Sequence, residues 1–127
     1  MHFEALKVGE LERKLLAHGF QVPEVSELTR GIPQADRPSE LIRYLVDSGR
    51  AVKVTSELLY PKALWEDLEA RLREHFRKNP TLSMGAFKDL VQVSRKYAVP
   101  MLEHLDRTGL TRRQGDERVP GPRIKGS

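Results

Sequence analysis

The stretch that decides the fold runs from Phe87 to Val119 and reads FKDLVQVSRKYAVPMLEHLDRTGLTRRQGDERV. Its apolar spacing and its turn residues predict two helices joined by a turn, followed by a hairpin of two strands. In chain order, the predicted elements are Met84–Val91, the turn Gln92-Val93, Ser94–Thr108, Leu110–Arg113, the turn Gln114-Gly115-Asp116, and Glu117–Val119. A helix, a tight turn, a second helix and a hairpin are typical of a winged helix, a fold that often meets nucleic acid.

The second of these helices has clear signals at both ends. Ser94 can cap its first turn, and Gly109 can take the left-handed conformation that ends it. Between them, apolar residues recur on one face and form the predicted core stripe: Ala98, Met101, Leu102 and Leu105. The basic residues of the stretch fall at the start of this helix and in the hairpin.

The first half of the chain predicts a similar order of elements. The expected helices are one within the first 18 residues, with Leu6, Leu11, Leu15 and Leu16, then Pro23–Thr29 and a helix from Pro38 to Gly49. The expected strands are Ala51–Val54 and Glu57–Tyr60. A long helix then opens at Pro61, with a stripe of Leu64, Leu68, Leu72 and Phe76 and with Trp65 beside it.

Part of this pattern occurs twice at a shift of 60 residues. The corresponding residues are Leu41 with Met101, Ile42 with Leu102, Leu45 with Leu105, Gly49 with Gly109, and Ala51 with Thr111. We therefore predict an α+β fold, mainly α with small β-hairpins, built from two tandem winged-helix domains. Their expected limits are residues 1–60 and 61–119. Residues 120–127, PGPRIKGS, have no periodicity and are expected to form a disordered tail.

The composition is that of a globular protein, with 39% hydrophobic and 31% charged residues among 127. The absence of cysteine excludes disulfides, thiolate metal sites and a cysteine nucleophile. No apolar run is long enough for a membrane span, and no signal peptide is expected before the first helix. We therefore expect a cytoplasmic protein without a membrane partner.

The charge of the chain is unevenly distributed. Residues 1–60 hold 8 Lys/Arg against 9 Asp/Glu, a net of −1, whereas residues 61–127 hold 14 against 9, a net of +5. Such asymmetry suggests that the second half meets a polyanion. A basic surface that is merely solvated is an equally acceptable explanation of the charge alone.

Motifs that would indicate catalysis are missing. The four histidines, His2, His18, His75 and His104, have no partner at a recognised metal spacing. The sequence has neither a glycine-rich phosphate loop followed by Lys-Ser/Thr nor a nucleophile elbow. We therefore predict no metal, no cofactor and no enzymatic activity of this chain.

The segment Ser94-Arg95-Lys96-Tyr97 is the strongest candidate for a binding site. A helix N-terminus is already partly positive, so Arg95 and Lys96 are unfavourable there unless phosphate binds beside them. The alternative is an ion pair with a nearby carboxylate such as that of Asp89. Tyr97 could stack on a base or complete the core.

The predicted hairpin offers a second basic element. Arg112, Arg113 and Arg118 flank its turn, so at least one should project toward a backbone phosphate. Charge that protects a strand edge from pairing is the alternative. The basic residues of the long helix alternate with acidic ones, which favours a solvated face held by ion pairs four residues apart.

At Phe87 to Val119 the chain resembles the C-terminal region of the bacterial selenocysteine-specific translation elongation factor. The motifs behind the resemblance are FKDL, SRKYA, LEHLDRTG and TRRQGDERV, preceded by LYPKALWEDLEARLREHF at the junction of that family's last two winged helices. The resemblance covers roughly residues 38–119 well and the first 37 more weakly.

The resemblance implies a binding module that recognises an mRNA stem-loop, the selenocysteine insertion element, and directs selenocysteine to UGA codons. The parent factor would engage the ribosome and supply GTP hydrolysis, and this chain would be a monomer. The implied RNA contacts are Lys88, Ser94, Arg95, Lys96, Tyr97, Arg112, Arg113, Gln114 and Arg118. A DNA-binding transcriptional regulator and a protein-interaction module remain alternatives.

Overall fold

A computed structural model describes residues 5–125, without the side chains of residues 5–7, 35 and 125. The helices are α1 (Ala5–Ala17), α2 (Val25–Arg30), α3 (Pro38–Asp47), α4 (Lys62–Lys78), α5 (Met84–Val91), α6 (Arg95–Thr108) and α7 (Pro122–Lys125). The strands are β1 (Ala51–Lys53), β2 (Leu59–Pro61), β3 (Thr111–Gln114) and β4 (Glu117–Pro120). His2, the side chain of Leu6 and the last two residues of the predicted tail lie outside the described residues.

The chain forms two compact units whose boundary lies between Trp65 and Glu66. The first unit contains α1, α2 and α3, followed by the antiparallel hairpin of β1 and β2, in which Val52 lies opposite Tyr60. The fully buried Tyr60 donates its hydroxyl hydrogen to the carbonyl of Phe20 at 2.8 Å. This bond joins the hairpin to the segment after α1.

The boundary lies after Trp65, whereas the sequence predicted a domain limit after Tyr60. Pro61 is paired with Ala51 across the first hairpin. The Trp65 ring packs on Tyr60 with a centroid distance of 5.4 Å. The segment from Pro61 to Trp65 therefore packs with the first unit, although α4 continues without a break to Lys78.

The second unit contains the rest of α4, then α5, α6 and the antiparallel hairpin of β3 and β4. Leu82 forms an isolated β-bridge to the hairpin, because it exchanges both backbone hydrogen bonds with Arg118, at 2.8 and 2.9 Å. The bounds of α5 and the predicted end of α6 are confirmed. The predicted stripe of α6 is buried, and Gly109 ends the helix with φ of 84°.

The outer face of α4 is held by ion pairs, as its alternating charges predicted. Arg71 pairs with Asp67 at 2.9 Å, and Glu74 pairs with Arg77 at 2.8 Å and with Lys78 at 3.2 Å. The hydrogen bond from Lys78 and the charges of Arg77 and Lys78 lower the pKa of the exposed Glu74 carboxyl. These cations therefore have acidic partners of their own.

The prediction of a disordered tail over residues 120–127 is wrong for its described part, which contains α7. Gly121 donates its N–H to the carbonyl of Leu110, and Arg123 donates its N–H to the carbonyl of Gly109, both at 2.9 Å. A Cβ on Gly121 would lie 2.4 Å from that Gly109 oxygen. This close approach requires glycine at position 121. The segment is held by backbone hydrogen bonds to Leu110 and Gly109 rather than by a periodic apolar face, so hydrophobic periodicity did not predict it.

Candidate nucleic-acid interface

The start of α6 brings four of the predicted contact residues together: Ser94, Arg95, Lys96 and Tyr97. Ser94 occupies the N-cap position with extended backbone angles, φ of −81° and ψ of 168°. Its carbonyl accepts the N–H groups of Tyr97 and Ala98 at 3.1 and 3.0 Å, while its side chain makes no capping hydrogen bond. The exposed hydroxyl therefore lies beside helix N–H groups without serving as the cap.

Arg95 and Lys96 are both exposed in the first turn of α6, which contains no acidic residue. Within residues 5–125, Arg95 forms no ion pair, so the predicted alternative of pairing with Asp89 is not observed. Two cations at the positive end of a helix repel its dipole. An anion bound at this helix start would remove that repulsion.

Tyr97 is half-buried at the edge of this cluster. The Nζ of Lys96 lies 5.7 Å from the centroid of the Tyr97 ring, within the range of a cation–π contact. The next residue, Ala98, is fully buried. Tyr97 therefore borders the core and keeps part of its surface in solvent.

The turn before α6 is defined by Gln92, which has a left-handed φ of 57°. Its side-chain amide donates to the carbonyl of Asp89 at 2.7 Å, and its backbone N–H donates to the carbonyl of Lys88. Lys88 lies half-buried in the last turn of α5, where the helix dipole favours a cation. The position of Lys88 therefore has a structural explanation independent of RNA.

The wing is a tight hairpin whose loop is Gly115-Asp116. Gly115 has φ of 64°, which glycine adopts at little cost and which suits a two-residue hairpin turn. Exposed side chains precede the turn on β3: Arg112, Arg113 and Gln114. The Nε–H of Arg113 donates to the carbonyl of Gly115 at 3.0 Å, which ties this guanidinium to the turn.

The register of the hairpin separates the arginines. Arg113 lies directly opposite Arg118, and Arg112 lies opposite Val119. Because side chains alternate along a strand and opposite residues share a face, Arg113 and Arg118 project on the same side as Thr111. Thr111 and Arg118 are only 1% and 7% exposed. Arg113 therefore lies on the inner side of the hairpin, and Arg112 on the outer side.

Arg118 is buried and paired with an acidic side chain, which argues against its predicted contact with RNA. Its Nη2 lies 3.0 Å from Oδ2 of Asp106 on α6, and its Nε lies 3.4 Å from Oδ1. The Thr111 hydroxyl donates to the same Oδ1 at 2.6 Å. One carboxylate thus receives hydrogen bonds from both strands of the wing.

The sequence reasoning did not assign a role to Asp106 or Thr111. A signal was present, since an acidic residue in the last turn of a helix is disfavoured by the dipole unless a cation pairs with it. Strand alternation, together with the pairing of Arg113 and Arg118 across the turn, would also have placed Arg118 on the side of Thr111. The buried charge of Arg118 on β4 is compensated by the carboxylate of Asp106 on α6.

A lowered pKa disfavours a positive charge on the histidine of α6. Burial, with a smaller effect of the neighbouring Arg107, lowers the pKa of His104. In the described part of the chain, no group of three acidic or histidine side chains is arranged to hold a metal ion. None of the described helices is both long and apolar enough to cross a membrane.

Comparisons with known proteins point to one family. Residues 74–119 match the family described as elongation factor SelB, winged helix. An 80-residue stretch, 63% of this chain, is 35% identical to the selenocysteine-specific elongation factor of Desulfomicrobium baculatum. The matched stretch corresponds to 13% of that relative, so the chain spans only a small part of its length.

Two solved structures share the fold. The mRNA-binding domain of elongation factor SelB from E. coli, in complex with SECIS RNA, matches 93% of this chain and 99% of its own, with a TM-score of 0.72 and 20% identity. Bacterial selenocysteine-specific elongation factor EF-Sec matches 92% of this chain and 19% of its own, with a TM-score of 0.68 and 25% identity. The chain is a tandem winged-helix protein. Within this fold, residues 74–119 are similar to the winged helix of elongation factor SelB.

Proposed function

We propose that the chain binds an mRNA stem-loop through its second unit, with the start of α6 and the wing as the two contact elements. The observation that carries the proposal is the exposed pair Arg95 and Lys96 on a helix start without an acidic residue. Helix N–H groups and two cations at one place suit a phosphate. The wing adds Arg112, Arg113 and Gln114, whereas Arg118 is withdrawn from the predicted set.

Two arguments favour RNA as the ligand of this site: a solved structure with the same fold, and the shape of the RNA helix. The E. coli domain with the same fold is in complex with SECIS RNA. The major groove of A-form RNA is too narrow for a helix, so contacts should fall on the backbone and on exposed loop bases. In this proposal the chain is a non-catalytic, monomeric binding module in the cytoplasm. The parent factor would bring GTP hydrolysis, the ribosome and selenocysteine delivery at UGA codons.

The first unit has a different helix start and is proposed to act as a spacer. α3 begins with Pro38-Ser39-Glu40, and the Glu40 carboxylate lies 3.5 Å from the Arg37 guanidinium. A carboxylate at this end of a helix is favoured by the dipole but repels phosphate. The corresponding surface of the first unit therefore lacks the feature on which RNA binding depends in the second.

The proposal can be tested by in vitro selection with two pools offered together, RNA stem-loops with randomised loops and duplex DNA with a randomised centre. We expect the full chain to enrich stem-loops, with affinity that falls as salt rises because phosphate contacts release counterions. Enrichment of duplex DNA would favour the transcription-regulator alternative. Enrichment of neither pool would leave a protein-interaction role and overturn the proposal.

Comparing Arg112 with Arg113 tests the orientation of the wing. Because Arg113 lies on the side of the hairpin that meets α6, Arg113→Ala should weaken binding of the selected stem-loop by about tenfold and reduce the salt slope by about one. Arg112→Ala removes the same charge from the outer side and should cost clearly less. Fluorescence anisotropy at several salt concentrations measures both. Equal losses, or a larger loss for Arg112→Ala, would contradict this orientation.

A further inference from the structure

One side chain joins the two contact elements. Asp106 projects from the last turn of α6, and its carboxylate is bound by Thr111 on β3 and by Arg118 on β4. Asp106 retains 24% side-chain exposure, against 8% for Arg118, so the ion pair lies at the base of the wing and is largely sheltered from water. The 2.6 Å hydrogen bond from Thr111 and the two contacts of the Arg118 guanidinium fix its geometry.

The contacts of Asp106 also reduce the repulsion between two arginines of the hairpin. Arg113 and Arg118 are directly opposite each other, an arrangement in which like charges repel. The Asp106 carboxylate neutralises Arg118 from below. Arg113 is then the cation of this pair that remains exposed on the inner side of the wing.

We propose that Asp106 is a positioning residue for RNA binding: it fixes the wing on α6 so that Arg113 and the helix start can contact one stem-loop together. The inference rests on the proposed function, since it concerns how that site is held. Asp106 itself need not touch RNA, and its negative charge would oppose the RNA backbone if it did.

Because the charge of Asp106 opposes RNA, an effect of charge and an effect of positioning change RNA affinity in opposite directions. Asp106→Asn removes a negative charge, so an effect of charge alone would tighten RNA binding. If Asp106 acts by positioning, the same substitution should weaken binding of the selected stem-loop by about tenfold, the effect of one lost contact. Asp67→Asn is the matched control: it makes the same charge change in an exposed pair on α4 and should leave affinity unchanged or slightly tighter.

A double-mutant cycle identifies the route of the effect. If Asp106 acts through the wing, Arg113→Ala should cost much less in the Asp106→Asn background than in the unchanged chain. Additive losses would overturn the proposal. So would binding by Asp106→Asn that equals or exceeds that of the unchanged chain.

Stability and wing structure are followed separately. Asp106→Asn leaves Arg118 without its charged partner and should lower the melting temperature. Thr111→Val removes one hydrogen bond with little change in shape, and it should weaken RNA binding in the same direction but less. Backbone amide NMR shifts of residues 112–117 in free Asp106→Asn, or in Thr111→Val if the first variant does not fold, should move away from their original values. Unmoved shifts would overturn the positioning role even if no stem-loop binds, so this failure is distinct from failure of the proposed function.

Discussion

Replacing Arg95 with alanine should weaken binding of the selected stem-loop by about 1–3 kcal/mol, or roughly 5- to 150-fold. Arg95 is exposed at the first position of α6, and none of the ion pairs among the described residues involves it. A phosphate at this helix start would therefore gain a charge-assisted contact with a guanidinium that has no competing carboxylate. Lys96→Ala should act in the same direction, with a smaller loss because its ammonium also lies near the Tyr97 ring.

The matched control is Arg77→Ala on α4, which removes the same charge in the same unit. Arg77 is 77% exposed and pairs with Glu74, so its loss should change RNA affinity little. Neither Arg95→Ala nor Arg77→Ala should shift the melting temperature measurably, because exposed arginines contribute little to folding. Affinities of Arg95→Ala and Lys96→Ala within error of the original chain would defeat the site at α6 and leave the wing alone.

Local signals in the sequence were sufficient for α5, α6 and the hairpin of the second unit. The bounds of α5 and the burial of Ala98, Met101, Leu102 and Leu105 follow from apolar spacing between a cap residue and Gly109. The hairpin follows from a glycine at the tip of a short polar turn. Each of these features depends on residues that are close in the chain, so local sequence patterns predict it.

The features that the sequence analysis did not foresee depend on contacts between distant residues. Arg118 is withdrawn from the wing surface by Asp106, twelve residues earlier in the chain and on another element. Pro61 is held in the first hairpin by Ala51 rather than opening α4. Basic side chains near a turn look alike in sequence. The contact with Asp106 distinguishes the buried Arg118 from the exposed Arg113, which projects on the same side of the hairpin.

Gly121→Ala should lower the stability of the second unit by about 2–3 kcal/mol, a large effect for a single methyl group. The new Cβ would lie 2.4 Å from the oxygen and 2.8 Å from the carbon of the Gly109 carbonyl, both of them backbone atoms. Because backbone cannot rotate away, residues 120–125 must move. The hydrogen bonds from Gly121 to Leu110 and from Arg123 to Gly109 would then be strained or lost.

The matched control is Gly31→Ala, since Gly31 has φ of −85° and nothing within 4 Å of an added Cβ. That substitution should be neutral or stabilise the chain by up to about 1 kcal/mol, because it restricts only the unfolded chain. Hydrogen exchange read by mass spectrometry assigns the loss, with peptides of the first unit as an internal reference. We expect faster exchange in Gly121→Ala at the amides of Gly121 and Arg123 and in β3. If these amides keep their protection and the melting temperature stays unchanged, the segment after β4 is not anchored on Gly109, and the sequence-based expectation of a disordered tail would be reinstated.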